Sequence, residues 1–383
     1  MSSITVTALV LFAATYILMM AFQKIRPYVA VASAVIFVIL GTVAAFKPEL
    51  FGANFFALDS GETFSYTFKT AVGEIDWNVI MMIAGTMGTV YLFIESKMPQ
   101  LMSDVLISKM PNVKWAVVCM SLFAGIVSAF VDNVATVLMI APVALALCKK
   151  LNISPVPSII CIAVSSNLQG AATLVGDTTS ILLAKAANLD FSDFFFDEGK
   201  PGMFWVVEAG AVVSALIILF MFRKENDKIH INERTKVEDK FPTFLLVATV
   251  LCLIGVSFIP YKNNAAEGQF YKPEITNGLI CIFFFFVGII RELFRKNTKL
   301  VKNAFKEIDY YTIFLLTGLF VVIGGIKNAG VIDIIGNAIS KVGGSSGSVF
   351  IVYTVIVWMS VILSAFIDNI PYTATMQPVV GGV

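Results

Sequence analysis

Charge is scarce in this sequence, and histidine is almost absent. Aspartate, glutamate, lysine and arginine make up 14% of the 383 residues, and the formal net charge is +1. A near-neutral chain lacks the basic surface that nucleic acids require, so no nucleic-acid partner is expected. The one histidine, His230, lies in a charged segment, which argues against histidine-based metal and triad chemistry. We therefore predict neither an enzyme nor a metal cofactor.

Paired cysteines are also missing. Each of the five stands alone in an apolar run, and none forms a C-x-x-C pair, so neither a disulfide framework nor a zinc site is indicated. They are Cys119, Cys148, Cys161, Cys252 and Cys281.

Apolar residues, by contrast, are abundant. They form 58% of the chain, and the mean hydropathy is +0.86. A soluble domain of this length could not bury so much apolar surface, so the composition predicts an integral membrane protein. The first apolar run has no basic residues before it and no small-residue cleavage site after it, which predicts a retained helix rather than a signal peptide.

Apolar runs of about 20 residues predict spanning helices. They lie at 4–22, 28–46, 77–94, 156–187 with an interruption, 203–222, 241–260, 274–290 and 310–327. Two further stretches, 115–148 and 348–383, each contain an Asp-Asn pair. The limbs on either side of the first pair, about 17 residues each, are barely long enough to span, so we predict re-entrant hairpins.

The basic residues predict the orientation. With the N-terminus outside, the cytoplasmic segments carry 19 of the 27 lysines and arginines. The positive-inside rule favours this arrangement, in a plasma (inner) membrane. The basic stretch 291–306 is then an orientation determinant that also contacts lipid head groups.

Short motifs recur in the same order along the chain. Glu74-Ile75-Asp76-Trp77 returns as Glu307-Ile308-Asp309-Tyr310, and Ser128-Ala129-Phe130-Val131-Asp132-Asn133-Val134 returns as Ser364-Ala365-Phe366-Ile367-Asp368-Asn369-Ile370. Gly85 falls on Gly318 at the first offset. Such self-similarity predicts an internal repeat.

The repeats define the expected fold and domains. Residues 1–222 form a first repeat of five spans plus a hairpin, 223–240 a cytoplasmic linker, and 241–383 a second repeat of three spans plus the start of a hairpin. Because the first repeat crosses the membrane an odd number of times, the second must be inverted, as in secondary transporters. We therefore predict an all-α polytopic membrane protein of two inverted-topology repeats, each with a re-entrant hairpin and a discontinuous helix, the second incomplete at its C-terminus.

The hairpins place two carboxylates, Asp132 and Asp368, in apolar sequence. A lone carboxylate at bilayer depth costs about 2.5–3.5 kcal/mol, so each must face protein, water or an ion. Amides and hydroxyls follow both of them: Asn133, Thr136, Asn369, Thr373 and Thr375. The alternative is that each Asp-Asn pair only caps the helix that restarts after it.

A third polar block, residues 165–180, interrupts an apolar span with glycines, hydroxyls and one carboxylate, Asp177. This composition is typical of a discontinuous helix, whose free carbonyls can hold a cation and whose second half, restarting near Thr178, favours an anion. The alternative is close packing of small residues, with Ser and Thr bonding between helices.

At these residues the chain resembles the ion transporter superfamily. The blocks SAFVDNVATVLMIAPV, NLQGAATLVGDTTSILL and SAFIDNIPYTATMQPVV carry the likeness, and they are most similar to the P-protein and NhaD-type sodium/proton antiporter branches. The resemblance implies two hairpin tips that meet two unwound helices around one central site, elevator-like alternating access and a homodimer.

The resemblance also implies roles for individual residues. Asp132, Asn133 and Thr136 would form the first tip, and Asp368, Asn369, Thr373 and Thr375 the second. The facing unwound helix would contribute Asn167, Gly176, Asp177, Thr178 and Thr179. A coupling sodium ion would be held at Asn133, Asp177 and Asn369.

The expected function is secondary transport of a small ion, coupled to sodium or protons. Two aspartates at the tips repel an anionic substrate unless a cation or proton neutralises them, which favours sodium/proton exchange. Citrate-like or dicarboxylate anions and arsenite stay open as substrates. Rivals from other classes are an intramembrane aspartyl protease using Asp132 and Asp177, and a non-transporting scaffold.

Overall fold

The computed structural model describes residues 1–52, 54–59, 61–150, 153–227, 235–237, 239–260, 270–332, 334, 349–365 and 369–381. The helices before residue 190 are α1 (Ser3–Ala21), α2 (Arg26–Phe46), α3 (Phe68–Gly73), α4 (Trp77–Glu95), α5 (Met98–Ser108), α6 (Val113–Ser128), α7 (Asn133–Lys150), α8 (Pro155–Gly170) and α9 (Thr178–Ala187). Those after it are α10 (Met203–Met221), α11 (Phe241–Ser257), α12 (Thr276–Phe294), α13 (Thr298–Lys306), α14 (Tyr310–Asn328), α15 (Val349–Ser364) and α16 (Asn369–Gly381).

Helices dominate the described residues, and β-structure is limited to one antiparallel pair, β1 (Phe196–Asp197) with β2 (Lys200–Pro201). Six helical stretches are long and apolar enough to cross a membrane. They are Ser3–Ala21, Gln23–Phe46, Trp77–Glu95, Met203–Met221, Thr276–Phe294 and Thr298–Asn328. The predicted all-α polytopic membrane protein is therefore confirmed.

Each apolar run predicted from the sequence corresponds to a helix, and the predicted interruption of 156–187 is confirmed, since α8 ends at Gly170 and α9 begins at Thr178. Three short helices were not predicted: α3, α5 and α13. They escape a search for apolar runs because they are only 6, 11 and 9 residues long.

The helices assemble into two compact units. One, here called the terminal unit, contains residues 1–80 and 310–383, and the other, the central unit, contains residues 81–309. Each unit therefore takes helices from both predicted repeats. The boundaries of the repeats concern sequence similarity rather than packing, and they stay a prediction.

In the terminal unit, α14 packs directly on α2. A Cβ on Gly318 would lie 2.7 Å from the carbonyl carbon of Ala30 and 2.8 Å from the backbone nitrogen of Val31, so only glycine permits this approach. Small residues commonly allow such backbone contact between membrane helices. Beside it, the buried Tyr66 donates a hydrogen bond of 2.6 Å to the carbonyl of Val321.

In the central unit, α4 makes the corresponding contact with α12. A Cβ on Gly85 would lie 2.6 Å from the backbone nitrogen of Ile282, and one on Gly88 would overlap the ring of Phe285. Gly85 and Gly318 are the glycines that match between the predicted repeats. Each thus packs on a helix of the other repeat, which explains why both units mix elements from the two halves of the sequence.

A buried ion pair holds one end of the central unit together. Lys272 Nζ lies 2.6 Å from Asp190 Oδ2, and the two side chains are 2% and 9% exposed. The same ammonium donates to the carbonyl of Val256 at 3.1 Å. The contact fastens the loop after α9 to the segment that joins α11 and α12.

Candidate functional site

The first hairpin turns at Asp132, between α6 and α7. The Asp132 carboxylate accepts hydrogen bonds from the backbone nitrogens of Val134 at 3.0 Å and Ala135 at 3.1 Å. These are the unpaired donors of a helix start, so Asp132 is an N-cap of α7. The capping interpretation of the first Asp-Asn pair is therefore confirmed, and any role in transport comes in addition to it.

The break between α8 and α9 lies against this turn. A Cβ on Gly176 would lie 2.7 Å from the carbonyl oxygen of Ser128 and 2.8 Å from that of Ala129, so a side chain at position 176 would collide with the end of α6. The buried hydroxyl of Thr173 donates to the Ala129 carbonyl. Glycine at 176 is thus required for the unwound segment to approach the hairpin backbone.

Side chains also join the tip to the broken helix. The amide nitrogen of Asn133 donates to the amide oxygen of Asn167 at 2.9 Å. The hydroxyl of Ser166 donates to the Asn133 carbonyl at 3.0 Å. In the break itself, Thr179 donates to the Asp177 carboxylate at 2.7 Å. Asn133 of the first tip is therefore hydrogen-bonded to the end of α8, while Asp177 and Thr179 form a separate pair within the broken helix.

A small cavity of about 20 Å³ lies beside the first tip and the broken helix. Asp132 and Asp177 both line it, together with Gly176 and Thr178, and α4 closes the other side. This volume is enough for about one water molecule. The cavity thus combines two carboxylates with space for one water molecule or one small bare cation.

The remaining predicted residue of the first hairpin, Thr136, is fully buried. Its hydroxyl lies 3.4 Å from the Val131 carbonyl, one turn from the tip. Thr136 is not among the residues that line the cavity.

Several polar residues of this region were missed by the sequence analysis. Thr86 of α4 lines the cavity, and nothing in the sequence near it signals a site. Three buried side-chain oxygens have no hydrogen-bond partner among the described residues: Ser128 Oγ, Gln169 Oε1 and Ser180 Oγ. Gln169 and Ser180 stand inside the polar block and Ser128 inside the repeated motif, so both patterns could have indicated them.

The second tip is described only from Asn369 onward, because Asp368 lies outside the described residues. Asn369 Oδ1 accepts a hydrogen bond of 2.8 Å from Ser364 of the neighbouring arm. Thr375 donates to the Pro371 carbonyl at 2.8 Å, and Thr373 is half-buried. Tyr16 of α1 donates to the same Pro371 carbonyl at 2.8 Å. The meeting of the two tips around one site stays a prediction.

Within the described residues, no group of three or more His, Cys, Asp or Glu side chains could hold a metal ion.

A family model of citrate transporters, CitMHS, matches residues 16–383. The chain belongs to this citrate transporter family. The resemblance to the ion transporter superfamily is thereby confirmed. Since the family consists of transporters and the described helices are apolar enough to span a bilayer, the protein is a membrane transporter.

Three relatives of this CitMHS protein show how widely the sequence is shared. An uncharacterized transporter of Mycobacterium tuberculosis is 26% identical over 316 residues, which cover 82% of this chain and 70% of the relative. The 46 kDa membrane protein of Mycobacterium leprae is 30% identical over 262 residues, 66% of this chain and 56% of that protein. The human P protein is 24% identical over 375 residues, 80% of this chain and 44% of that protein.

Proposed function

We propose that this citrate transporter family member is a secondary active transporter of a small ion, coupled to sodium or protons. The observation that carries the proposal is the pair Asp132 and Asp177, which line one small cavity between the first hairpin tip, the broken helix and α4. Two carboxylates in apolar surroundings need a cation or a proton to balance their charge. Coupling to a cation follows directly from that need.

The cavity favours sodium/proton exchange over anion transport. Its volume admits one small cation, whereas a citrate-sized anion would need a much larger space. The lining offers carboxylate oxygens from Asp132 and Asp177 and hydroxyl oxygens from Thr86 and Thr178. We assign sodium to Asn133, Asp177 and Asn369, as the resemblance implies. Protons would compete for the same carboxylates, which is the requirement for exchange of one ion against the other.

A second candidate is a citrate-like or dicarboxylate anion, and it is supported by the description of the family. In that case the cation in the cavity would neutralise the two aspartates before the anion binds. Arsenite, which is uncharged at neutral pH, would require no such neutralisation. Each candidate keeps the same cation site and differs only in what binds beside it.

We further propose elevator-type alternating access, in a homodimer in the plasma (inner) membrane with the N-terminus outside. The support is the division of the helices into two compact units, with the first tip and the broken helix both in the central unit. The first tip and the broken helix, which lie within one compact unit, can move together with that unit as a rigid body.

The decisive experiment measures flux in proteoliposomes under an imposed sodium or proton gradient. Asp132→Asn removes the charge but keeps a good helix cap, because asparagine caps about as well as aspartate. We therefore expect this variant to fold normally and to lose coupled flux. Asp368→Asn should behave in the same way. The matched control is Asp197→Asn, which removes an exposed carboxylate on β1.

Normal flux in both Asp132→Asn and Asp368→Asn would overturn the assigned site. A thermal-shift screen against sodium, lithium, citrate, succinate and arsenite identifies the substrate, because a ligand stabilises the state that it binds. Stabilisation by citrate only in the presence of sodium would favour the symport of an anion. Stabilisation by sodium alone, lost in Asp132→Asn, would favour exchange.

A further inference from the structure

The central unit contains a second, much larger cavity that the transport site does not use. Its volume is about 620 Å³, within the range of sites for small ligands. It lies where α4 and α12 end and where α11 and α13 begin, so several helix termini surround it. A cavity among helix ends lies at the depth where lipid head groups meet the protein.

One wall of the cavity is an ion-pair network. Arg291 contacts the Asp239 carboxylate at 2.5 Å and 3.1 Å, and Arg295 contacts it at 2.6 Å. Arg291 also lies 2.9 Å from Glu292. Burial acts to raise the pKa of Asp239, but the hydrogen bond and the charge of Arg291 outweigh it and lower that pKa. The Asp239 carboxylate is therefore ionised at neutral pH, and both Asp239 and Glu292 are paired with arginines.

The remaining cations of the cavity are three lysines, Lys97, Lys236 and Lys296. None of them has an acidic partner within the part of the chain that the structure describes. The third acidic lining residue, Glu95, accepts a hydrogen bond from Tyr91 at 3.1 Å. The lining therefore holds five cationic side chains against three acidic ones, and the excess positive charge belongs to the lysines.

Two of these lysines have an unusual backbone conformation. Lys97 and Lys296 have positive φ angles of 59° and 57°, at the residues that follow α4 and α12. Such a conformation is uncommon for a residue other than glycine. It fixes the position from which each side chain leaves the end of its helix, and both residues line the cavity.

Apolar residues also line the cavity. Leu92 and Leu245 line it and are almost fully buried, and Gly288 stands between them, where a Cβ would lie 3.0 Å from Leu245. Close by, Phe294 is 83% exposed at the end of α12. A ligand that fits this arrangement has an anionic end and an apolar end.

We propose that this cavity binds the phosphate group of an anionic phospholipid, with the three lysines around the phosphate and the apolar residues beneath the glycerol and upper acyl chain. Basic pockets between helices at a membrane surface recognise such head groups. The proposal requires only that the protein lies in a membrane, and it is independent of the transport function.

The test measures lipid binding to the purified full chain by native mass spectrometry. The probes are phosphatidylglycerol, phosphatidylcholine, and inorganic phosphate with glycerol phosphate as soluble sources of the same group. The cavity variant combines Lys97→Gln, Lys236→Gln and Lys296→Gln. The matched control combines Lys109→Gln, Lys149→Gln and Lys224→Gln, which removes the same charge from exposed positions that do not line the cavity and lie outside the basic stretch 291–306.

We expect phosphatidylglycerol to bind tighter than phosphatidylcholine, and its affinity to fall about tenfold or more in the cavity variant but less than about twofold in the control. An equal loss in both variants would mean diffuse charge attraction and would overturn the site. Equal binding of phosphatidylcholine would overturn it as well. Glycerol phosphate that binds at least as tightly as phosphatidylglycerol, with this binding lost in the cavity variant, would show that the site takes a soluble phosphate and would overturn the lipid proposal.

Discussion

The two hairpin tips carry the same residues and use them differently. In the first, the Asn133 amide reaches across to Asn167 of the broken helix, while Ser128 Oγ has no partner among the described residues. In the second, the equivalent Asn369 accepts from the equivalent Ser364 of its own hairpin. Tyr16 of α1 then fixes the second tip from outside.

The difference teaches that the helix packed against a tip decides its hydrogen bonds. Asn133 is drawn away from Ser128 because a second amide lies within reach on α8. Within the described residues, Asn369 instead accepts its hydrogen bond from Ser364 of its own hairpin. A repeated motif therefore predicts the turn but not the partners of its side chains, and four experiments can break or sharpen this comparison.

The largest effect is expected where the first tip meets the unwound segment. Gly176→Ala would place a methyl group against the carbonyl oxygens of Ser128 and Ala129, and we expect a loss of about 3 kcal/mol of unfolding free energy. The control, Gly210→Ala in α10, adds the same methyl group at ordinary contact distance from Leu168 and should be neutral or stabilising. Reversible unfolding in mixed micelles measures both, and equal effects would show that the close approach is unimportant.

The amide pair of the first tip should give the next largest effect. In a double-mutant cycle of Asn133→Ala and Asn167→Ala, we expect a coupling free energy of about 0.6–1.7 kcal/mol, the range found for hydrogen bonds between membrane helices. The measurement is the unfolding free energy of the four proteins. Additive losses would mean that the two amides do not bond, and the contrast between the tips would then disappear.

A parallel pair of cycles compares the motifs directly. Ser364→Ala with Asn369→Ala should show a coupling of about 0.6 kcal/mol, because these side chains bond at 2.8 Å. Ser128→Ala with Asn133→Ala should be additive, since the hydroxyl of Ser128 does not bond to the amide. Coupling in both cycles would show that the two tips are alike after all.

The smallest effect is expected from Tyr16→Phe, which removes the hydroxyl that α1 donates to the second tip. The Pro371 carbonyl keeps its bond from Thr375, so the loss should be only about 0.5 kcal/mol. Tyr28→Phe serves as the control, because that side chain is 75% exposed. A midpoint of thermal unfolding that is identical for both variants would show that α1 does not stabilise this tip.

Much of the fold could be predicted from the lengths of the apolar runs in the sequence. The long runs and the break before Thr178 stand out because lipid demands about 20 apolar residues per span and because glycines and polar residues interrupt one run. The helix α13 could not be found in this way, since its nine residues contain three lysines, spaced three and four residues apart, among the apolar side chains. Short helices of this kind are determined by tertiary packing rather than by length.

The residues of the candidate site could be predicted only where their side chains are of a type that is rare inside a membrane. Asp132 and Asp177 attract attention because carboxylates are rare at bilayer depth. Thr86 could not be found, since a single threonine in an apolar helix bonds as readily to its own backbone, as Thr86 does to Met82 at 2.7 Å. Its place in the cavity depends on the packing of α4, which no local pattern reveals.

The two matching glycines have a consequence for biogenesis. Both α2 and α4 are made in the first half of the chain, and each lacks its glycine-to-backbone contact until α14 or α12, respectively, has been made. Neither half of the chain can therefore complete its packing by itself, and a chain arrested after the first half would present the bare face of α4 around Gly85 to lipid or to the quality-control machinery.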